Sequence, residues 1–96
     1  MIKVVAKNFI KEDRTEEFIS MAKTLVQDTR TNDSGCIRYE LVQDVKDPRI
    51  ITMLEEWKDQ ESLNLHMAAE HFKKAMAAFG DFSEKPGEIN LYKTLA

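Results

Sequence analysis

Hydrophobic side chains recur along this chain in two rhythms. Over residues 2–9 the period is two: Ile2, Val4, Ala6 and Asn8 share one face, and Lys3, Val5, Lys7 and Phe9 share the other, the pattern of a strand. The lysines mark the second face as partly wet. Asn8 is then the one polar residue on the drier face. From Asp13 the rhythm lengthens. Asp13 and Glu16 have the form of a capping box, which predicts a helix opening there and running to about Arg30. Phe18, Ala22, Leu25, Val26 and Thr29 fall on one stripe of that helix, at the spacing of a 3.6-residue period. The polar run Thr31 to Gly35 ends it. Cys36 to Asp44 alternates again, with Ile37, Tyr39 and Leu41 set against Arg38 and Glu40. The turn Lys46-Asp47-Pro48-Arg49 joins it to a third strand, Ile50 to Trp57, as a hairpin. In that strand Ile51, Met53, Glu55 and Trp57 share one face, and Ile50, Thr52, Leu54 and Glu56 the other.

Asp59 is placed to cap a second helical region. Leu63, His66 and Met67 hold helical spacing, and Phe72, Ala75, Met76 and Phe79 resume it. The phase slips near Ala69–Glu70, predicting a bend between two helices, the second ending at Gly80. After Pro86-Gly87, residues Glu88 to Leu95 alternate as a fourth strand. The order β-α-β-β-α-β predicts a ferredoxin-like α+β fold, with a four-stranded antiparallel sheet and helices on one face, in a single domain over residues 1–96. The strands carry apolar residues on both faces, so the face without helices is expected to pair with a second copy in a homodimer.

Composition removes several classes of function. At 96 residues only one compact domain fits. Lys and Arg number 14 against 17 Asp and Glu, a net charge of −3; with no basic cluster beyond Lys73–Lys74, no nucleic-acid partner is expected. The longest apolar run is Ala75 to Phe79, far short of the roughly 20 residues of a membrane helix. No basic and apolar opening segment marks a secretory signal. One cysteine, Cys36, cannot form an internal disulfide, so a cytoplasmic location is expected. No activating base or cation cluster adjoins it, and it reads as a small buried hydrophobe.

The candidate chemistry sits around the bend. His66 and His71 are the only histidines, suited to acid–base work near neutral pH. On one straight helix they would stand roughly 140° apart; a break lets them converge on one pocket, or lets them simply pack the bend. Their spacing is poor for metal and no third ligand is evident, so no metal is expected. Trp57 suits either a pocket wall with a free indole N–H or ordinary core. Glu55 shares its face, either buried beside the pocket with a raised pKa or, the preferred reading, paired across a dimer. Asn8 could hold a substrate oxygen or be satisfied by its own backbone. Tyr39, Met53, Phe72, Met76 and Phe79 fit an apolar pocket lining or plain core.

The stretch Gly35-Cys36-Ile37-Arg38-Tyr39, with Glu55-Glu56-Trp57, Leu63, His66 and His71-Phe72, resembles the antibiotic biosynthesis monooxygenase (ABM) family, and within it the small quinol monooxygenases. The likeness runs from residue 2 to about 92 and is sharpest in Glu55-x-Trp57-x8-His66-x4-His71. It implies a ferredoxin-like homodimer, a dimeric α+β barrel. Several members oxidise hydroquinones or polycyclic phenols with molecular oxygen, without metal, flavin or heme. Others degrade heme or isomerise small phosphorylated sugars, so the fold alone does not fix the reaction.

The expectation that follows is a cofactor-independent monooxygenase whose partners are a small hydroquinone or polyphenol and molecular oxygen. His66 or His71 would take the phenolic proton. Asn8 and the Trp57 indole would stabilise the oxyanion, and Tyr39, Met53, Phe72 and Met76 would line the pocket. The alternatives are an isomerase of a small oxygenated, sugar-phosphate-like metabolite using the same histidines, or a non-catalytic ligand-binding dimer. Heme degradation fits poorly, because Met76 stands about where such relatives place their iron-binding histidine.

Overall fold

The computed structural model describes residues 1–96. Strands β1 (Ile2–Ile10), β2 (Cys36–Gln43), β3 (Ile50–Trp57) and β4 (Ser83–Lys93) form one antiparallel sheet in the order β2-β3-β1-β4. Helices α1 (Thr15–Asn32), α2 (Gln60–Ala68) and α3 (Glu70–Phe79) complete the expected ferredoxin-like α+β arrangement. The buried side of α1 is the stripe Phe18, Ala22, Leu25, Val26 and Thr29. It meets Val4, Tyr39, Ile51, Met53 and Trp57 from the sheet, and Phe79 and Phe82 from the segment after α2. The Phe18 ring stands 4.6 Å from Phe79 and 6.4 Å from Phe82. On the other sheet face Val5 lies across from Leu54, and Phe9 from Ile50.

Two boundaries differ from the sequence-based expectation. Asp13 does not cap α1. Glu12–Arg14 form a 3-10 turn, Arg14 stands at the cap position, and no side chain caps the helix. The Lys11 N–H donates to the Phe82 carbonyl at 2.9 Å, and the Arg14 N–H donates to the Lys11 carbonyl at 2.9 Å. The chain therefore turns one step before the helix, with Asp13 inside that turn. Strand β4 begins at Ser83 rather than Glu88, so Pro86-Gly87 lies within it. Lys7 pairs with Glu88 and Phe9 with Lys85, so Pro86 and Gly87 together oppose Asn8 as a bulge. Proline is tolerated because β4 is an edge strand, with no neighbour on its outer side to need its N–H. A Cβ on Gly87 would come 2.8 Å from the Lys7 carbonyl oxygen, so the bulge needs glycine there.

The bend between α2 and α3 falls where the phase slip puts it. Ala69 is extended (φ −72, ψ 147), and its N–H still donates to the His66 carbonyl. Asp59 caps α2 as expected, its Oδ1 accepting from the Ser62 N–H at 2.8 Å and the Ser62 hydroxyl at 2.7 Å. The turn after α1 packs directly on this cap. The Lys58 N–H donates to the Gly35 carbonyl at 2.9 Å, and a Cβ on Gly35 would lie 2.1 Å from Ser62 Cβ and 3.3 Å from Ser62 Cα. Rotating the serine side chain cannot relieve contacts to those two atoms. Gly35 thus sets how closely the α1–β2 turn approaches α2.

Gly35→Ala is therefore expected to cost about 1–3 kcal/mol, the usual range for overpacking, or several degrees of Tm for a domain of this size. Ser62→Gly on the same background should recover part of the loss. Differential scanning calorimetry of the double-mutant cycle checks this; an unchanged Tm for Gly35→Ala would remove the close approach.

Candidate active site

Between the sheet and the α2–α3 bend lies a cavity of about 290 Å³. Val4, Ala6, Met53 and Glu55 line it from the sheet, and Leu63, His66, Phe72, Met76 and Phe79 from the helical side. Asn8, Ser83, Gly87, Ile89 and Leu91 lie at its β4 end. The residues expected from sequence as apolar lining, Tyr39, Met53, Phe72 and Met76, all line it, and so do His66 and Asn8.

His66 is 1% exposed. Its ring stacks at 4.5 Å on Trp57, with Phe72 at 4.8 Å and Tyr39 at 5.3 Å. Its Nδ1–H donates to Asp33 Oδ2 at 2.6 Å. Asp33 is the C-cap of α1, where its backbone N–H donates to the Thr29 carbonyl. A carboxylate on Nδ1 fixes the tautomer, leaving the lone pair on Nε2. That atom is screened from solvent and has no partner within the protein. Asp33 is not part of the lining, so the ring turns its other edge towards the cavity. Burial pulls the His66 pKa below its ordinary value, and the Asp33 hydrogen bond and charge oppose the shift without cancelling it. His66 is thus held as a neutral imidazole.

His71 is placed differently from the expectation. Its Nε2–H donates to the same Asp33 oxygen at 3.0 Å, but its ring lines the open hollow between α1 and α3, with Met21, Asp28 and Lys74. The bend brings both imidazoles to one carboxylate without bringing both to one cavity. Asp33 also supplies the third ligand type that the sequence pattern lacked: the three ligand atoms lie within 4.8 Å of one another. The spacings of 2.6 and 3.0 Å are those of hydrogen bonds, and a divalent ion there would have to displace the proton on His66 Nδ1.

Two further expectations are corrected. Trp57 is fully buried and lies beneath the lining rather than in it. Its indole N–H is not free, because it donates to Glu55 Oε1 at 2.9 Å. Asn8 uses its amide N–H₂ on backbone carbonyls, Ile51 at 3.1 Å and Ala6 at 3.4 Å. Neither N–H is available to an oxyanion. Asn8 offers the cavity only its amide oxygen.

Glu55 is the group that the sequence reading undervalued. Its neighbour Glu56 points to the other sheet face and meets Lys3 at 3.6 Å and Arg38 at 3.9 Å. Glu55 itself is 7% exposed, lines the cavity and has the indole as its hydrogen-bond partner. Burial pushes its pKa up to about 7 against the partial opposition of that hydrogen bond. The signal was present in the alternation: a carboxylate between Met53 and Trp57 on a buried strand face. Cys36 and Tyr39 beside it are both pushed up by burial and remain neutral.

The Glu55 shift has a consequence for stability. The unfolded chain loses this proton near the ordinary value of 4.5, the folded chain at about 7. Between these values the folded state holds the extra proton, so stability falls as pH rises and levels off above about 7. Glu55→Gln removes the group while keeping an acceptor for Trp57. Its stability relative to the parent is expected to be greater at pH 8 than at pH 5 by on the order of 2–3 kcal/mol, measured by denaturant titration at both pH values; equal differences at the two would contradict the buried placement without an ion pair.

Comparison with known proteins places this geometry in a family. The family model described as antibiotic biosynthesis monooxygenase matches residues 1–78. A solved structure described as an antibiotic biosynthesis monooxygenase is 31% identical and superposes with a TM-score of 0.94 over 100% of both chains. A conserved protein from Methanosarcina mazei Go1 is 40% identical, with a TM-score of 0.93 over 98% of this chain and 92% of that one. YcnE of Bacillus subtilis, whose name proposes a monooxygenase, is 32% identical over 93% of each chain. The Synechocystis protein sll1783 is also 32% identical over 94% of this chain, which spans only 61% of that protein's length. The chain belongs to the antibiotic biosynthesis monooxygenase family.

Proposed function

We propose that this protein is a monooxygenase that needs no cofactor and oxidises a small hydroquinone or polyphenol with molecular oxygen. The observation that carries the reading is the Asp33–His66 contact at 2.6 Å, which holds a neutral imidazole against a largely apolar cavity. The family membership supplies the reaction class. A closed-shell phenol reacts slowly with triplet oxygen, but its anion can donate the first electron. His66 Nε2 takes the phenolic proton as general base. The imidazolium then faces the phenolate oxygen, and the Asp33 carboxylate balances its charge. With the Asn8 and Trp57 N–H groups already engaged, this imidazolium is the oxyanion's stabiliser. Met53, Phe72 and Phe79 keep the inner part of the site poor in water, with Met76 at its exposed edge. A C–O bond forms between a ring carbon and oxygen, the O–O bond breaks, and one oxygen stays on the ring while the other leaves as water.

The protein acts as a homodimer joined through the sheet face that carries Val5, Phe9, Ile50 and Leu54, in a cytoplasm that keeps Cys36 reduced. Sedimentation equilibrium is expected to give twice the chain mass of 11.1 kDa.

Oxygen uptake with a panel of hydroquinones in chelator-treated buffer tests the activity. Uptake well above the buffer rate is expected, and uptake equal to buffer for every quinol would remove the proposal. Turnover that persists under strict anaerobiosis would replace it with the isomerase reading. His66→Ala should lower kcat by about 10²–10⁴-fold, the usual loss of a general base. The acid limb of the kcat/KM profile should have its midpoint below the ordinary histidine value of 6.5. Asp33→Asn removes the influence that raises the His66 pKa, so it should lower the rate and move that limb to still lower pH. A limb that stays in place in Asp33→Asn would exclude His66 as the titrating base.

A further inference from the structure

The mechanism above leaves unused a second titratable group in the same cavity. Glu55 lines it from β3, 7% exposed, and its Oε1 accepts the Trp57 indole N–H at 2.9 Å. The ion pairs of the chain involve Glu17, Glu40, Glu56 and Glu84, but not Glu55. The titratable groups facing it are His66 from α2 and Tyr39 and Cys36 from β2. β1 sets Val4 opposite it, and the helices add Leu25 and Leu63. The one cation of the lining, Lys7 of β1, lies three residues along the strand from Val4, and no ion pair joins it to Glu55. A carboxyl so placed holds its proton to much higher pH than an exposed one. With Oε1 engaged by the indole, Oε2 is the oxygen free to carry that proton towards the cavity.

We propose that Glu55 is a second catalytic residue of this site, an acid that protonates the peroxide formed on the substrate and so directs it to water and hydroxylated product rather than to hydrogen peroxide. This rests on the quinol-oxidising reading. Once the phenolate has joined oxygen through a ring carbon, the adduct carries a C–O–O anion and a C–H bond on the same carbon. Glu55 gives its proton to the distal oxygen, forming the hydroperoxide. The resulting carboxylate then removes the C–H proton. That electron pair forms C=O, the O–O bond breaks, and hydroxide leaves. Hydroxide takes the proton held on His66 and departs as water, so both side chains return to their starting forms. The hydroquinone and one oxygen molecule thus yield a hydroxyquinone and one water. Without that acid and the base it becomes, the distal oxygen takes its proton from the ring's second hydroxyl, whose electron pair then expels hydroperoxide, and hydroperoxide takes the proton held on His66. That route gives the plain quinone and hydrogen peroxide, a two-electron oxidation matched by a two-electron reduction.

The acid explains why this carboxyl is kept neutral although its neighbour Glu56 is paired with Lys3 and Arg38. Titration of the folded group at about 7 also puts proton delivery within reach of physiological pH.

The test is the partition of oxygen, not the rate. Purified protein is supplied with a hydroquinone that it turns over. Oxygen uptake, hydrogen peroxide (catalase-released oxygen) and hydroxylated product are then measured together, with buffer autoxidation subtracted. The parent should release little peroxide per oxygen consumed. Glu55→Gln, which keeps the indole's acceptor and loses the acid, should raise that fraction by roughly tenfold, with hydroxylated product falling in step, a modest share of what proton transfer commonly contributes. A purely structural role would slow both routes and leave the fraction unchanged, and that result overturns the proposal. If Glu55→Gln does not fold, the unaltered protein serves: the peroxide fraction should climb as pH rises through about 7, and a flat fraction overturns the proposal equally. Absence of oxygen uptake by the parent with any quinol is a separate outcome, which fails the quinol reading and takes this one with it.

Discussion

One carboxylate oxygen organises this molecule. Asp33 Oδ2 accepts N–H donors from His66 at 2.6 Å and His71 at 3.0 Å, so a single atom after α1 ties down the last turn of α2 and the first turn of α3. A buried imidazole without that partner would lose a charge-assisted hydrogen bond and leave a polar ring nitrogen stranded in an aromatic cage. The bend at Ala69 brings His66 and His71 to one acceptor, which five residues of unbroken helix would not do. Gly35 allows the approach, since any side chain there would meet Ser62. Fold and chemistry meet in these few residues: the contact that closes the helical layer on the turn also decides which histidine nitrogen bears the lone pair.

The cavity is unusual in its charge state rather than in its shape. Burial acts on the acid and the base of this cavity in opposite directions, raising Glu55 and lowering His66. Below about pH 7 the acid holds its proton while the base, pulled below its ordinary value, gives its proton up readily, so burial works against a charge on either group. The two groups are therefore ready to give and to take a proton before any substrate arrives. Glu56, one residue away on the wet face, shows the other solution for a carboxylate, which is to stay ionised beside Lys3 and Arg38.

Most of the architecture was legible in the sequence because it rests on local periodicity. The α1 stripe from Phe18 to Thr29, the bounds of β3, the Asp59 cap and the break near Ala69 all follow from spacing within a single element. The site was legible only in part. Its lining, from Tyr39 to Met76, follows from which face each residue occupies. Its hydrogen bonds do not. Asp33 reads as one polar residue in a turn, and its partners stand 33 and 38 positions away. The occupied N–H groups of Trp57 and Asn8 depend on which acceptor each meets, and spacing does not encode that. The start of β4 was obscured because Pro86-Gly87 carries the signature of a turn, while its neighbours pair on both sides as a bulge.

That bulge bears on how the molecule behaves in company. β4 is eleven residues long and stands at the margin of the sheet, almost wholly open to solvent, the kind of rim that invites foreign strands to stack on it. Pro86 removes one donor from the rim, the doubled residue kinks it, and Glu84, Lys85, Glu88 and Lys93 keep it charged and hydrated. A strand arriving alongside would find its ladder interrupted midway. The margin is thus long without being a continuous template for strand addition.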